Sequence, residues 1–120
     1  MTPLELKHHK LAWESTRDRI SWTYELFCET TVGWKVHPLG KGAVLTKSNE
    51  MHVCIPSNSV TRRSLAELKS IQQTLLDNYG EVVTSTVIGN LIGESFVSKR
   101  GYKRTHVIDS VQYWRMTNGN

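Results

Sequence analysis

The chain has few of the features that mark secreted, membrane-bound or disulfide-rich proteins. Its only cysteines, Cys28 and Cys54, are too few for a disulfide framework, and we interpret them as reduced, partly buried thiols. His52 and Cys54 share one predicted strand but offer only two ligands, which is too few for a zinc site. No stretch approaches the ~20 apolar residues of a membrane span, and residues 1–10 lack the apolar core of a signal peptide. These absences predict a cytoplasmic protein with no metal site and no membrane contact.

The composition is that of an ordinary globular domain with an excess of positive charge. A length of 120 residues allows one domain with a real core, and 38% hydrophobic with 22% charged residues argues against disorder. The formal net charge of +4 favours an anionic partner. A nucleic acid, an acidic protein and a phosphorylated cofactor all remain open at this point.

The first half of the chain predicts helix followed by three strands. The predicted elements are one helix, or two shorter ones, over residues 8–29, and strands over residues 31–37, 43–46 and 50–55. The last strand alternates: Met51, Val53 and Ile55 point to one face of the sheet. Its other face carries polar or reactive side chains, namely Glu50, His52 and Cys54.

The second half predicts a helix, a strand, a second helix and a closing pair of strands. The first helix starts at Ser64, in a capping box with Glu67, and ends at Gly80. The remaining elements cover residues 82–88, 91–100, 106–108 and 111–116. Because a strand, a helix and a strand follow one another between residues 50 and 88, those two strands should run parallel through a right-handed crossover. The fold class is therefore α/β, with a mixed, mostly antiparallel sheet flanked by helices.

A segment in the second half carries a recognisable spacing of residue types. Asn90 follows a predicted strand, the small residue Gly93 comes three positions later, and the bulky Phe96 six positions later. Gly101 and the aromatic Tyr102 complete the segment. This spacing, with the order of the predicted elements, resembles the GNAT superfamily of N-acetyltransferases.

The resemblance implies one domain over residues 1–120 that binds acetyl-CoA. Residues 1–49 would form the N-terminal helix and first strands, and residues 50–116 the cofactor-side core. In that family two central strands separate, the pantetheine arm pairs with strand backbone in the gap, and the next helix presents its N-terminus to the pyrophosphate. The implied contacts with the arm are Val53, Cys54, Ile55 and Asn90. The implied phosphate site is Thr61, Arg62, Arg63, Ser64 and Leu65.

Two departures from the family pattern concern the chemistry. The stretch of residues 61–66 contains no glycine, although the family's phosphate loop usually does, so Arg62 and Arg63 would have to contribute charge-assisted bonds. Val97 stands where many members carry a tyrosine that protonates the leaving thiolate. The expected base is Glu50 or His52, and the expected oxyanion donor is a backbone amide near residues 53–55.

The predicted function is transfer of an acetyl group from acetyl-CoA to an amine of a protein or small molecule. The alternative is a catalytically degenerate domain similar to the short acetyltransferase-like proteins of tailed bacteriophages. Such a protein would be a virion component or a binder of a host protein in the host cytoplasm. A nucleic-acid partner is the weakest hypothesis, because the chain has neither a helix-turn-helix pattern nor an aromatic RNA-binding motif.

Overall fold

The computed structural model describes residues 1–17 and 20–118. The helices are α1 (Pro3–Thr16), α2 (Tyr24–Thr30), α3 (Arg62–Tyr79) and α4 (Leu91–Lys99), with a short 3₁₀ turn at Ser57–Ser59. The strands are β1 (Lys35–Leu39), β2 (Gly42–Lys47), β3 (Glu50–Cys54), β4 (Glu81–Val87), β5 (Lys103–Ile108) and β6 (Val111–Thr117).

The six strands form one mixed sheet in the order β1-β2-β3-β4-β6-β5. β3 and β4 run parallel, and the other neighbours pair antiparallel. The parallel pair is joined through α3, as the predicted crossover requires. The predicted fold class, a mixed and mostly antiparallel sheet flanked by helices, is confirmed.

Helices cover the sheet on both faces, and the alternation of β3 divides its side chains between two cores. Met51 belongs to the core beneath α3 and α4, and Val53 and Ile55 pack against that core. Cys54 belongs to the second core, beneath α1 and α2, together with Phe27. The assignment of the two faces of β3 from the sequence is therefore correct.

The N-terminal elements differ from those predicted. The alternative of two helices in place of one is confirmed, but the first begins earlier than predicted, at Pro3 behind a Thr2 capping box. The strand expected from residue 31 begins at Lys35, because the chain after α2 turns through Gly33 at a φ of 83°. Val32, which lies inside the range of the predicted strand, is 72% exposed.

The start of α3 also needs correction. Its N-cap is Thr61, whose hydroxyl accepts the amide of Ser64, while the Ser64 hydroxyl accepts the amide of Thr61. The predicted box between Ser64 and Glu67 is wrong, because Ser64 is already the third residue of the helix. The predicted end is confirmed: Gly80 caps the helix in the left-handed conformation, at a φ of 78°.

Two findings concern the chain as a whole. No helix within residues 1–17 and 20–118 has the length and apolar character needed to cross a membrane. Cys28 is half-buried and Cys54 buried, and the two are not joined by a disulfide.

Candidate functional site

The central feature of the sheet is a separation between its two parallel strands. β3 and β4, both described in full, share a single register pair, Glu50 with Val83. At this point the amide of Val83 donates to the carbonyl of Asn49 at 2.9 Å. Beyond Glu50 the strands diverge, so the edge of β3 that faces β4 no longer forms a ladder. Strand backbone in such a gap can pair with an extended ligand, as with an added strand.

A cleft of about 490 Å³ occupies this gap and continues to both helical layers. Its lining reaches Phe27 and Trp34 on the α1/α2 side, and Leu68 and Tyr102 on the α3/α4 side. The size is within the range of small-molecule sites. Six of the predicted site residues line it, namely Glu50, His52, Val53, Cys54, Ile55 and Asn90.

Glu50 and His52, offered by the sequence as alternative bases, are hydrogen-bonded to each other. The distance from His52 Nε2 to Glu50 Oε2 is 2.6 Å, and the two side chains are 25% and 45% exposed. The hydrogen bond from His52 holds the pKa of the Glu50 carboxyl below its usual value, against the opposing effect of burial. The carboxylate is therefore ionised at neutral pH and can only accept a proton.

This bond decides the tautomer of His52. Because an ionised carboxylate only accepts, the hydrogen of the neutral imidazole lies on Nε2, and Nδ1 keeps its lone pair. Within residues 1–17 and 20–118, no side-chain nitrogen or oxygen is both buried and unbonded, so Nδ1 is accessible rather than sealed in the core. The arrangement is an imidazole oriented by a carboxylate, which has the chemistry of a general base.

The N-terminus of α3, the predicted phosphate site, lies beside the cleft rather than in its lining. Val60 and Leu68 line the cleft on either side of this stretch in sequence. The hydroxyls of Thr61 and Ser64 are occupied by capping each other's amides, and the amide of Leu65 donates to the carbonyl of Thr61 at 2.9 Å.

Two amides and two guanidinium groups are left at this helix end. The amides of Arg62 and Arg63 are the first of α3, and such amides have no partner inside their own helix. The Arg63 side chain is 90% exposed, and its Nε lies 3.5 Å from a carboxylate oxygen of Glu67. A phosphate contact here would use backbone N–H groups and guanidinium groups, without the close backbone approach that glycine permits.

Asn90 has a structural role that the sequence analysis did not assign to it. It is the N-cap of α4, and its Oδ1 accepts the amide of Gly93 at 3.1 Å. A Cβ added at Gly93 would lie 2.5 Å from Asn90 Nδ2, so the small residue three positions after the asparagine is needed for this cap. The cap occupies Oδ1 and leaves the Nδ2 hydrogens for other partners in the cleft.

The chain has Val97 at the position where many GNAT members carry a tyrosine as proton donor. Val97 is buried in the core beneath α3 and α4, as its side chain requires. Tyr102 is also buried, and its hydroxyl donates to Gln72 Oε1 at 3.0 Å. Burial raises the pKa of Tyr102, so it remains a neutral phenol.

Several cleft residues were missed by sequence reasoning. Trp34, Gln72 and Arg100 line it, and the guanidinium of Arg100 lies 5.0 Å from the ring centroid of Phe96. Gln72, which is half-buried, carried no signal, because a single polar residue in an amphipathic helix is unremarkable. The residues that the structure describes hold no group of three or more His, Cys, Asp or Glu side chains that could bind a metal ion.

Comparison with solved structures shows the class of fold. The chain is similar to the PaiA N-acetyltransferase of Thermoplasma acidophilum, solved in complex with coenzyme A, with a TM-score of 0.56. The match has 12% sequence identity and covers 93% of this chain and 89% of that one. No protein-family model and no curated protein matches the chain. The chain therefore has the GNAT acetyltransferase fold, and identity this low shows the fold alone.

Proposed function

We propose that the protein is an N-acetyltransferase that moves an acetyl group from acetyl-CoA to an amine. The observation that carries the proposal is the position of the Glu50–His52 pair, next to the single β3–β4 register pair and in the lining of the cleft. Support comes from the similarity to an N-acetyltransferase solved with coenzyme A. The net charge of +4 suits an anionic cofactor.

The residues of the cleft fit the pantetheine arm of that cofactor. Beyond Glu50, the edge of β3 that faces β4 presents the amides and carbonyls of Val53 and Ile55, which point to the same side as the carbonyl of Asn49, as an extended chain of amides needs. The phosphates would lie outside the narrow part of the cleft, at the amides of Arg62 and Arg63. Asn90 Nδ2 would donate to a carbonyl of the arm.

The proposed reaction gives each member of the pair a distinct role. Acetyl-CoA supplies an activated thioester. His52 Nδ1 takes one proton from the acceptor ammonium, and Glu50 stabilises the imidazolium that results. The amine nitrogen then bonds to the acetyl carbon, and the bond from that carbon to sulfur breaks. The second proton of the nitrogen goes to the thiolate, and His52 returns its proton to solvent.

The oxyanion that develops during attack requires a donor. The backbone amide of Val53 or Ile55, on the edge of β3 that faces β4, would supply it, because a fixed amide needs no reorganisation. No tyrosine at position 97 protonates the thiolate, so the proton reaches sulfur from the nitrogen or through water.

Calorimetric titration with acetyl-CoA at moderate salt tests the proposal. We expect micromolar binding that is weakened by Arg62→Ala and by Arg63→Ala. Lys69→Ala is the matched control, because it removes the same charge from an exposed position two turns further along α3. An absence of binding would refute the proposed function. Equal weakening by all three variants would show a general charge effect and refute the phosphate site.

A second measurement separates catalysis from binding. His52→Gln should retain acetyl-CoA affinity and lose at least about a hundredfold in kcat, the usual contribution of a general base. Glu50→Gln should lose less, because it leaves the imidazole in place. Wild-type turnover by His52→Gln would remove the histidine from the mechanism.

A further inference from the structure

The end of the cleft beneath α1 and α2 differs in character from the end beneath α3. It is lined by Trp22, Phe27, Trp34 and Leu45, with the hydroxyl-bearing side chains of Thr30 and Thr31 beside them. Aromatic walls of this kind bury the apolar body of a ligand. This end lies on the face of β3 that carries His52, so a group seated there is on the same side of the sheet as the imidazole.

The charges in the cleft limit what can enter this end. Among the described residues that line the cleft, Glu50 is the only acid, and Arg100 is the only lysine or arginine. A ligand with one ammonium group therefore has one carboxylate in the cleft with which to pair, that of Glu50. A second ammonium on the same ligand would lose water on entering the cleft and find no second carboxylate, which costs free energy.

Trp34 is the aromatic residue best placed to select the ligand. Its ring centroid lies 5.3 Å from that of His52, with an angle of 51° between the planes. Its backbone position is held by the turn after α2, where its amide donates to the carbonyl of Thr31 at 3.1 Å. A ring or alkyl group packed on the indole would present its amine next to the imidazole.

We infer that the acetyl acceptor is a small primary amine with one positive charge and an aromatic or apolar body, and that Trp34 determines this specificity. The inference rests on the proposed function and names the substrate class of its site. The reaction is the acetyl transfer already written, with the ammonium of this ligand losing one proton to His52 and the other to the leaving sulfur. A polyamine is the acceptor that the charges of the cleft exclude, and a lysine side chain of a peptide is the less favoured acceptor, because its alkyl chain covers less of the indole than a ring does.

The test compares three amines in a thiol-release assay with acetyl-CoA: 2-phenylethylamine, spermidine and a lysine-containing peptide with a blocked N-terminus. We expect kcat/KM to be at least about tenfold higher for 2-phenylethylamine than for either other amine. Trp34→Ala should raise KM for 2-phenylethylamine about tenfold with a smaller effect on kcat, and Trp34→Phe should restore most of the loss. Preference for spermidine or the peptide, or an unchanged KM in Trp34→Ala, would overturn the inference.

A control variant separates specificity from stability. Trp13 packs against the same core as Trp34 but does not line the cleft, so Trp13→Ala should destabilise the fold without changing the ratio of kcat/KM between amines. Direct calorimetric titration of the protein with 2-phenylethylamine gives a readout that does not need acetyl transfer. If acetyl-CoA binds and 2-phenylethylamine does not, the proposed acceptor class is refuted and the proposed function stands. If acetyl-CoA does not bind, both the proposed function and this inference are refuted.

Discussion

Asn90 combines a structural and a proposed binding role, and substitution can separate the two. In Asn90→Ala the amide of Gly93 loses the side-chain oxygen that now accepts it at 3.1 Å. Loss of such a cap typically costs about 1 kcal/mol of unfolding free energy. For a domain of this size that corresponds to a fall of about 4 °C in Tm. The same variant removes Nδ2 from the cleft, and acetyl-CoA affinity should fall about tenfold if that group donates to the pantetheine arm.

Asn90→Asp is the matched variant. Its carboxylate keeps the shape of the side chain and still accepts the amide of Gly93, and a negative charge at the start of α4 is favourable. Stability should therefore stay at the wild-type level, while acetyl-CoA binding falls because the donor is gone. Urea denaturation measures the first quantity and calorimetry the second. Wild-type stability in Asn90→Ala would refute the cap, and wild-type affinity in Asn90→Asp would refute the role of Nδ2.

Three further predictions concern the fold. Leu39→Ala should lower the unfolding free energy by about 2–5 kcal/mol in urea denaturation, because Leu39 is 2% exposed. Leu4→Ala is the control: Leu4 is 57% exposed, and its loss should change the unfolding free energy by less than about 0.5 kcal/mol. Gly42→Ala should lower Tm strongly in calorimetric scans, since its Cβ would clash with the backbone of Cys54; a wild-type Tm would contradict that packing. Burial lowers the pKa of His9, so folding disfavours its protonation, and stability should fall as pH drops below about 6.5, where the unfolded chain takes up the proton. NMR titration that shows His9 protonating at its ordinary pKa would contradict the last prediction.

Features that depend on a few adjacent residues were predicted correctly from the sequence. The two faces of β3 follow from strict alternation, and the end of α3 follows from a glycine after an apolar stripe, because each depends on a few adjacent residues. The start of α3 was misplaced by three residues, since Thr61 and Ser64 both carry a hydroxyl suited to a cap. Only the backbone conformation shows which of the two precedes the helix.

Some sequence-based hypotheses stay predictions. The roles of Arg62 and Arg63 at a phosphate, the cytoplasmic location and the likeness to short bacteriophage proteins follow from the sequence pattern alone. The likeness in fold to an N-acetyltransferase supports the proposed acetyl transfer, and the residues that line the cleft support the proposed acceptor.

The sequence by itself determined the order of the elements, the mixed sheet and the face on which Glu50 and His52 lie, because all three depend on periodicity and chain order. The family resemblance implied that β3 and β4 separate, but only the tertiary structure shows that they do so after one register pair, since strand separation depends on how Glu50 and Val83, 33 residues apart, meet. The tertiary structure also places Trp34 beside His52. Trp34 precedes β1, and β2 lies between β1 and β3, so the contact depends on the arrangement of three strands and of the turn after α2. The cleft is a product of that long-range geometry, and no local pattern specifies it.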